Sequence, residues 1–103
     1  MSSQGGIFSI VPTADMADAG GVVRPGEIAE AAAFALERCA TDGAIFDLKL
    51  SFIAPARVGE HLSLEAKVVH AGRRTKVVEC EILGPDGLVA TASGTFAITR
   101  EKE

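Results

Sequence analysis

Residues 25–55 read PGEIAEAAAFALERCATDGAIFDLKLSFIAP, and the spacing of their apolar side chains changes once, at Gly43. Before it, Ile28, Ala31, Ala32, Ala35, Leu36 and Cys39 recur at helical intervals, and Ala29, Ala33 and Phe34 extend the apolar surface most of the way round. A helix apolar on nearly all sides belongs at the centre of a fold. Pro25 suits the first turn, where a missing N–H costs nothing. Glu27 and Glu30 sit where the positive end of the helix dipole favours carboxylates. Thr41-Asp42-Gly43 ends the helix. Beyond Gly43 the period is two: Phe46, Leu48, Leu50 and Phe52 fall on one face, and Asp47, Lys49 and Ser51 on the other, until Pro55.

Upstream, GIFSIVP (6–12) is a short strand rich in β-branched and aromatic residues, and TADMADAGGVV (13–23) is a turn-prone connection. Downstream, HLSLEAKVV (61–69), TKVVECEIL (75–83) and LVATASGTFAITR (88–100) alternate as strands. HAGRR (70–74) and GPDG (84–87) are the turns between them, and Gly94 marks a bend, a bulge or a close approach within the last. Strands joined by links this short form an antiparallel sheet. Its continuous apolar face has one element available to cover it, the alanine-rich helix. The expected architecture is α+β: a curved antiparallel β-sheet wrapped around one long central helix, the hotdog fold.

The chain has 103 residues, which predicts a single domain over 1–103 with flexible ends at 1–5 and 100–103. With no Trp or Tyr and five Phe, its core is aliphatic and thin, so a homodimer or a dimer of dimers is expected. A net charge of −4 argues against a general nucleic-acid binder. No apolar run reaches membrane-spanning length, and MSSQGG lacks the apolar core of a signal peptide, so the expected location is cytoplasmic. Cys39 and Cys80 fit no metal-ligand or CxxC spacing; no metal is expected, and both thiols are read as small buried side chains.

Residues 47–98 resemble the C-terminal half of the hotdog-fold acyl-CoA thioesterases of the PaaI-like and 4-hydroxybenzoyl-CoA thioesterase-like kind. The resemblance rests on Phe52-Ile53-Ala54-Pro55-Ala56, Gly59-Glu60, Gly72-Arg73-Arg74, Asp86-Gly87 and Gly94-Thr95-Phe96. The family reads Gly-x-x-His-Gly-Gly before its central helix; here GVVRPG (21–26) stands there, with Arg24-Pro25-Gly26 in place of His-Gly-Gly. The resemblance implies hydrolysis of an acyl-CoA thioester at a dimer interface, with coenzyme A entering only as part of the substrate. It implies that backbone N–H groups at Gly26 and Glu27 polarise the carbonyl, as an N-terminal helix dipole would favour.

The family's catalytic carboxylate falls nine residues after the motif's histidine, and that position is Ala33. Glu30, one turn earlier, is the candidate base in its stead, with Glu27 as the second candidate. Both also read as plain helix-start glutamates. Arg24 is either a phosphate or carboxylate ligand or a loop or interface arginine. Asp15 and Asp18 read as turn residues. His61 is read as an exposed strand start, and neither histidine has a nucleophile at a useful spacing. His70, Arg73, Arg74 and Lys76 form a basic turn that would line the path of the CoA phosphates, or else protect a sheet edge. Two functions follow: a thioesterase, or a non-catalytic hotdog that binds acyl groups or serves as a structural subunit. A hotdog dehydratase or hydratase ranks below both, for want of a placed Asp/His pair.

Overall fold

The computed structural model describes residues 5–99, so the expected tail at 100–103 and most of the expected flexible start lie outside the described residues. In chain order come β1 (Gly5–Ile10), a short 3-10 turn (Ala14–Met16), α1 (Pro25–Arg38), β2 (Gly43–Phe52), β3 (Leu62–Ala71), β4 (Thr75–Gly84) and β5 (Gly87–Ile98). The strands form one antiparallel sheet in the order β1-β3-β4-β5-β2, with α1 across one face. This is the expected hotdog arrangement.

The sheet meets the helix through Leu62, Leu64 and Ala66 of β3, Val78, Cys80 and Ile82 of β4, and Ala90, Ala92 and Phe96 of β5. Opposite them, Ala32, Ala35 and Leu36 of α1 are fully buried. Gly94 supplies the close approach: a Cβ there would lie 3.1 Å from Ile45 Cδ1 and 3.2 Å from Leu36 Cδ1. Burial pushes the Cys80 thiol up to about 11, with smaller contributions from Cys39, Glu81 and Glu65, so it stays neutral and packs as an apolar group.

One strand face departs from the simple alternation. The β2–β5 register shifts between Ile45 and Asp47, so Phe46 is an extra residue in a bulge. The bulge reverses the parity, and Ile45 rather than Phe46 packs against the core. Phe46 is 64% exposed. Farther along β2, Leu50 reaches the core, whereas Leu48 and Phe52 stay exposed on the sheet's outermost strand.

The strand connections also fix which chemistry lies at which end. The helix start is tied to the loop after β2, because Val23 N–H donates to Ala56 O at 2.8 Å. The helix end leads to Gly43, which pairs with Ile98, and Ile98 N–H donates to Arg74 O of the β3–β4 hairpin at 2.9 Å. Helix mouth and basic hairpin therefore occupy opposite ends of a molecule measuring 50 × 23 × 20 Å.

Leu36→Ala is expected to lower the unfolding free energy by about 2–5 kcal/mol, from lost apolar contact plus the residual cavity. Gly94→Val should cost about 1–3 kcal/mol by forcing helix and sheet apart. Urea unfolding followed by circular dichroism measures both.

Candidate functional site

The first turn of α1 leaves one backbone donor free. Arg24, the residue that caps the helix, donates its N–H to Met16 O at 3.0 Å. Pro25 has no N–H, and Glu27 N–H turns back onto Arg24 O at 3.0 Å. Gly26 N–H has no acceptor among the described residues, and a Cβ on Gly26 would meet nothing within 4 Å. A helix start ordinarily presents several unpaired N–H groups. Here the chain reduces them to one, Gly26 N–H, on a residue whose Cβ position is open. Of the two expected donors, Gly26 is free and Glu27 is engaged.

Beside that donor lies a cleft of about 350 Å³, walled by Arg24, Pro25 and Ile28 of the helix start and by Phe52, Ile53 and Pro55 after β2, with Asp18 and Val22 from the preceding loop. It is mainly apolar and opens at the β2 side of the sheet. The loop that supplies Asp18 is tightly made. Asp18 Oδ1 accepts from Gly20 N–H at 2.9 Å and from Val22 N–H at 3.0 Å, and Asp18 N–H donates to Val22 O at 2.9 Å. Gly21 takes a positive φ of 83° to close this turn.

Arg24 holds the same loop from the other side. Its guanidinium donates to Ala17 O at 2.7 Å and to Asp15 O. The side chain read as a possible anion ligand is thus occupied by main-chain carbonyls, a fork that matches two acceptors at once. Thr13 donates to the Asp15 carboxylate, which this bond, its own backbone N–H and the Arg24 charge hold below the usual range.

Glu27 and Glu30 do not line the cleft. They rim a separate groove of about 330 Å³ between α1 and β1, floored by Phe8, Ile10, Met16, Phe34 and Leu64. Phe8 and Phe34 meet edge to face there, with ring centroids 5.9 Å apart. Ala33 is half-buried and belongs to the lining of neither space.

The basic residues are at the far end. His70, Arg73 and Arg74 are exposed on and beside the hairpin. Lys76 instead turns toward the helix and pairs with Asp42 at 3.1 Å, its side chain only 15% exposed. A cation beside the last turn of a helix is favoured by the dipole, so this pair anchors the C-terminal end of α1 to β4. Within one protomer the structure groups Arg24, Gly26 and Asp18 at the mouth, Glu27 and Glu30 in the groove, and the basic side chains at the opposite end. Sequence reasoning gave Asp18 only a turn role. Its place in the cleft arises from the bridge of Val22 to Arg57 and the bond of Val23 to Ala56, contacts between segments far apart in the chain. Among the described residues no group of His, Cys, Asp and Glu could hold a metal ion, and no helix is long and apolar enough to cross a membrane.

The thioesterase superfamily matches residues 27–91, more than half of the chain. Among the solved structures that share the fold are three thioesterase-like proteins. The Streptococcus mutans protein smu.793, bound to acetyl CoA, superposes with a TM-score of 0.91 at 19% identity, over 98% of this chain and 86% of that one. The Escherichia coli PaaI protein of the phenylacetic acid degradation operon gives 0.86 at 22% identity, over 94% and 78%. Zebrafish thioesterase superfamily member 2 gives 0.81 at 18% identity, over 96% and 78%. Among curated protein sequences none matches the chain.

Arg24→Lys keeps the charge but cannot span two carbonyls. It is expected to cost about 1.5–3 kcal/mol and to make the 13–23 loop cleavable in limited proteolysis, which mass spectrometry of the fragments would locate.

Proposed function

The chain belongs to the thioesterase superfamily, and from that premise we propose that it hydrolyses an acyl-CoA thioester in the cleft at the helix mouth. One observation carries this reading: Gly26, whose N–H has no acceptor among the described residues, follows Pro25 at the wall of an apolar cleft, and its Cβ position is open. Hydrolysis moves negative charge onto the thioester oxygen. A fixed donor at a helix start stabilises that charge more than it stabilises the neutral carbonyl. The missing side chain at Gly26 lets the carbonyl reach the backbone. Phe52, Ile53 and Pro55 offer apolar surface to the acyl group.

The working unit in this reading is a homodimer paired along β2. That strand is one of the sheet's two edges and exposes Phe46, Leu48 and Phe52, with Ile53 just beyond it, a row of apolar groups and unpaired backbone that a second copy would cover. Antiparallel pairing of β2 with its copy sets the mouth end of one protomer beside the hairpin end of the other. The opposed ends seen in one protomer then become neighbours. The partner's Arg73 and Arg74 supply donors for the CoA phosphates, while Lys76 remains with Asp42. Cytoplasmic location accords with this substrate. A dimer of dimers would bury further surface.

A second reading is a non-catalytic hotdog that binds acyl-CoA or serves as a structural subunit. It is favoured by Ala33, which places no carboxylate where the resembled family has one.

Thiol release from a panel of acyl-CoAs, followed with a chromogenic disulfide, separates the two readings. The thioesterase turns over at least one of them well above the uncatalysed rate, and saturable binding without turnover establishes the binder. Leu48→Asp is expected to shift the protein to monomer in analytical ultracentrifugation and to abolish turnover together. In the double variant Arg73→Ala/Arg74→Ala, KM for acyl-CoA should rise about tenfold or more, by loss of charge-assisted phosphate contacts. Its kcat should stay near the parent's, and added salt should raise the parent's KM toward the variant's.

A further inference from the structure

The sheet has a second edge, away from the strand of the proposed dimer. β1 pairs with β3 on one side, and among the described residues no strand pairs with it on the other. Alternate residues of an edge strand turn their N–H and C=O outward, a template for another chain. Such edges are ordinarily blunted by charged side chains or by proline. Gly5–Ile10 holds neither, and Ile7 is 74% exposed.

Beside this edge runs the groove between α1 and β1. Phe8 and Phe34 meet edge to face in it, and Phe34 remains exposed. Arg24 N–H bonds to Met16 O, which sets the helix start beside the chain that follows β1. Glu30 and Glu27 therefore follow from Phe34 toward Ile10 and Met16, about one and two turns nearer the helix start. They stand three residues apart on one helix face, where like charges repel. Neither has an ion-pair partner among the described residues. An apolar floor, two uncompensated carboxylates and a row of free backbone groups thus lie side by side.

We propose that this edge binds an extended segment of a partner protein, added as a strand beside β1, whose groove-facing residues are apolar and basic. In an extended chain every second residue faces the groove. One apolar side chain covers Phe8 and Phe34, and a lysine or arginine farther along the same face reaches Glu27 and Glu30. Main-chain hydrogen bonds to β1 supply affinity, and the groove supplies selectivity. A second copy of the chain suits the edge less well. The β1 of a copy brings no cation to the two carboxylates. With β2 paired in the proposed homodimer, copies joined at β1 as well would extend the sheet from dimer to dimer without closure. The cleft at the helix mouth shares no lining residue with this groove, so peptide binding here does not depend on hydrolysis there.

The probe is a fluorescein-labelled synthetic peptide, Leu-Thr-Arg-Thr repeated twice, titrated with the purified protein and followed by fluorescence anisotropy. Saturable binding with a Kd below about 100 µM is expected. Glu27→Gln/Glu30→Gln should raise that Kd about tenfold or more, by removing both charge-assisted contacts. Both glutamates stand at the groove's rim, and circular dichroism checks that the variant is folded. The same peptide with Glu in place of Arg should not bind. Hydrogen exchange read by mass spectrometry should slow over residues 5–10 when the peptide is bound, which charge attraction alone would not produce. Absence of saturable binding, a Kd that the double variant leaves unchanged, or unaltered exchange over 5–10 overturns the proposal. A lower oligomeric state for Ile7→Lys in analytical ultracentrifugation also overturns it, by assigning the edge to a second copy. Displacement of the peptide by saturating acetyl-CoA overturns it too, by making the groove part of the acyl-CoA site.

Discussion

The seat of α1 on the sheet depends on small side chains. Ala32 and Ala35 let the helix backbone come close, and Gly94 leaves the space that Leu36 and Ile45 enter. A close-packed interior has no slack to absorb a larger group at that contact. With the seat fixed, both ends of the helix are fixed as well. The C-terminal turn arrives at Lys76 and Asp42, and the N-terminal turn arrives at the loop after β2. The position of Gly26 N–H is thus a consequence of packing under the middle of the helix.

The mouth has its own supports. Residues 13–23 could have been a slack connection, being rich in Ala, Gly and Asp. Instead Asp18 closes a turn upon itself, Arg24 reaches back to two carbonyls, and Val23 joins the segment after β2. At the mouth, the amide of Gly26 and one oxygen of Asp18 have no partner among the described residues.

Much of this was legible in the sequence because it depends on short-range rules. The change of apolar period at Gly43, the GPDG turn and Pro25 in the first helical turn follow from local chemistry, and for Gly94 the structure selects the close approach among the bend, bulge or close approach that the sequence leaves open. The place of Phe46 was not legible, since a bulge is a property of two strands: nothing in AIFDLKL alone shows that β5 has one residue fewer to pair. The carbonyl partners of Arg24 and the neighbours of Asp18 were hidden for the same reason. The separation of the basic hairpin from the helix mouth could have been found earlier. In an antiparallel order each turn alternates ends, and counting from the helix end through β2, β5 and β4 places residues 72–74 at the helix's C-terminal side.

In the proposed reaction the single free amide also bears on how a turnover would end. A carboxylate product presents two charged oxygens, and the mouth has one donor for them. Asp18 lines the same cleft, with one carboxylate oxygen free of partners among the described residues. Like charges in a partly apolar cleft repel more strongly than in bulk water. The geometry that shelters a transient oxyanion is therefore a poor resting place for the finished acid. In the proposed reaction a site of this kind clears itself, and the accumulation of free acid would do little to slow it.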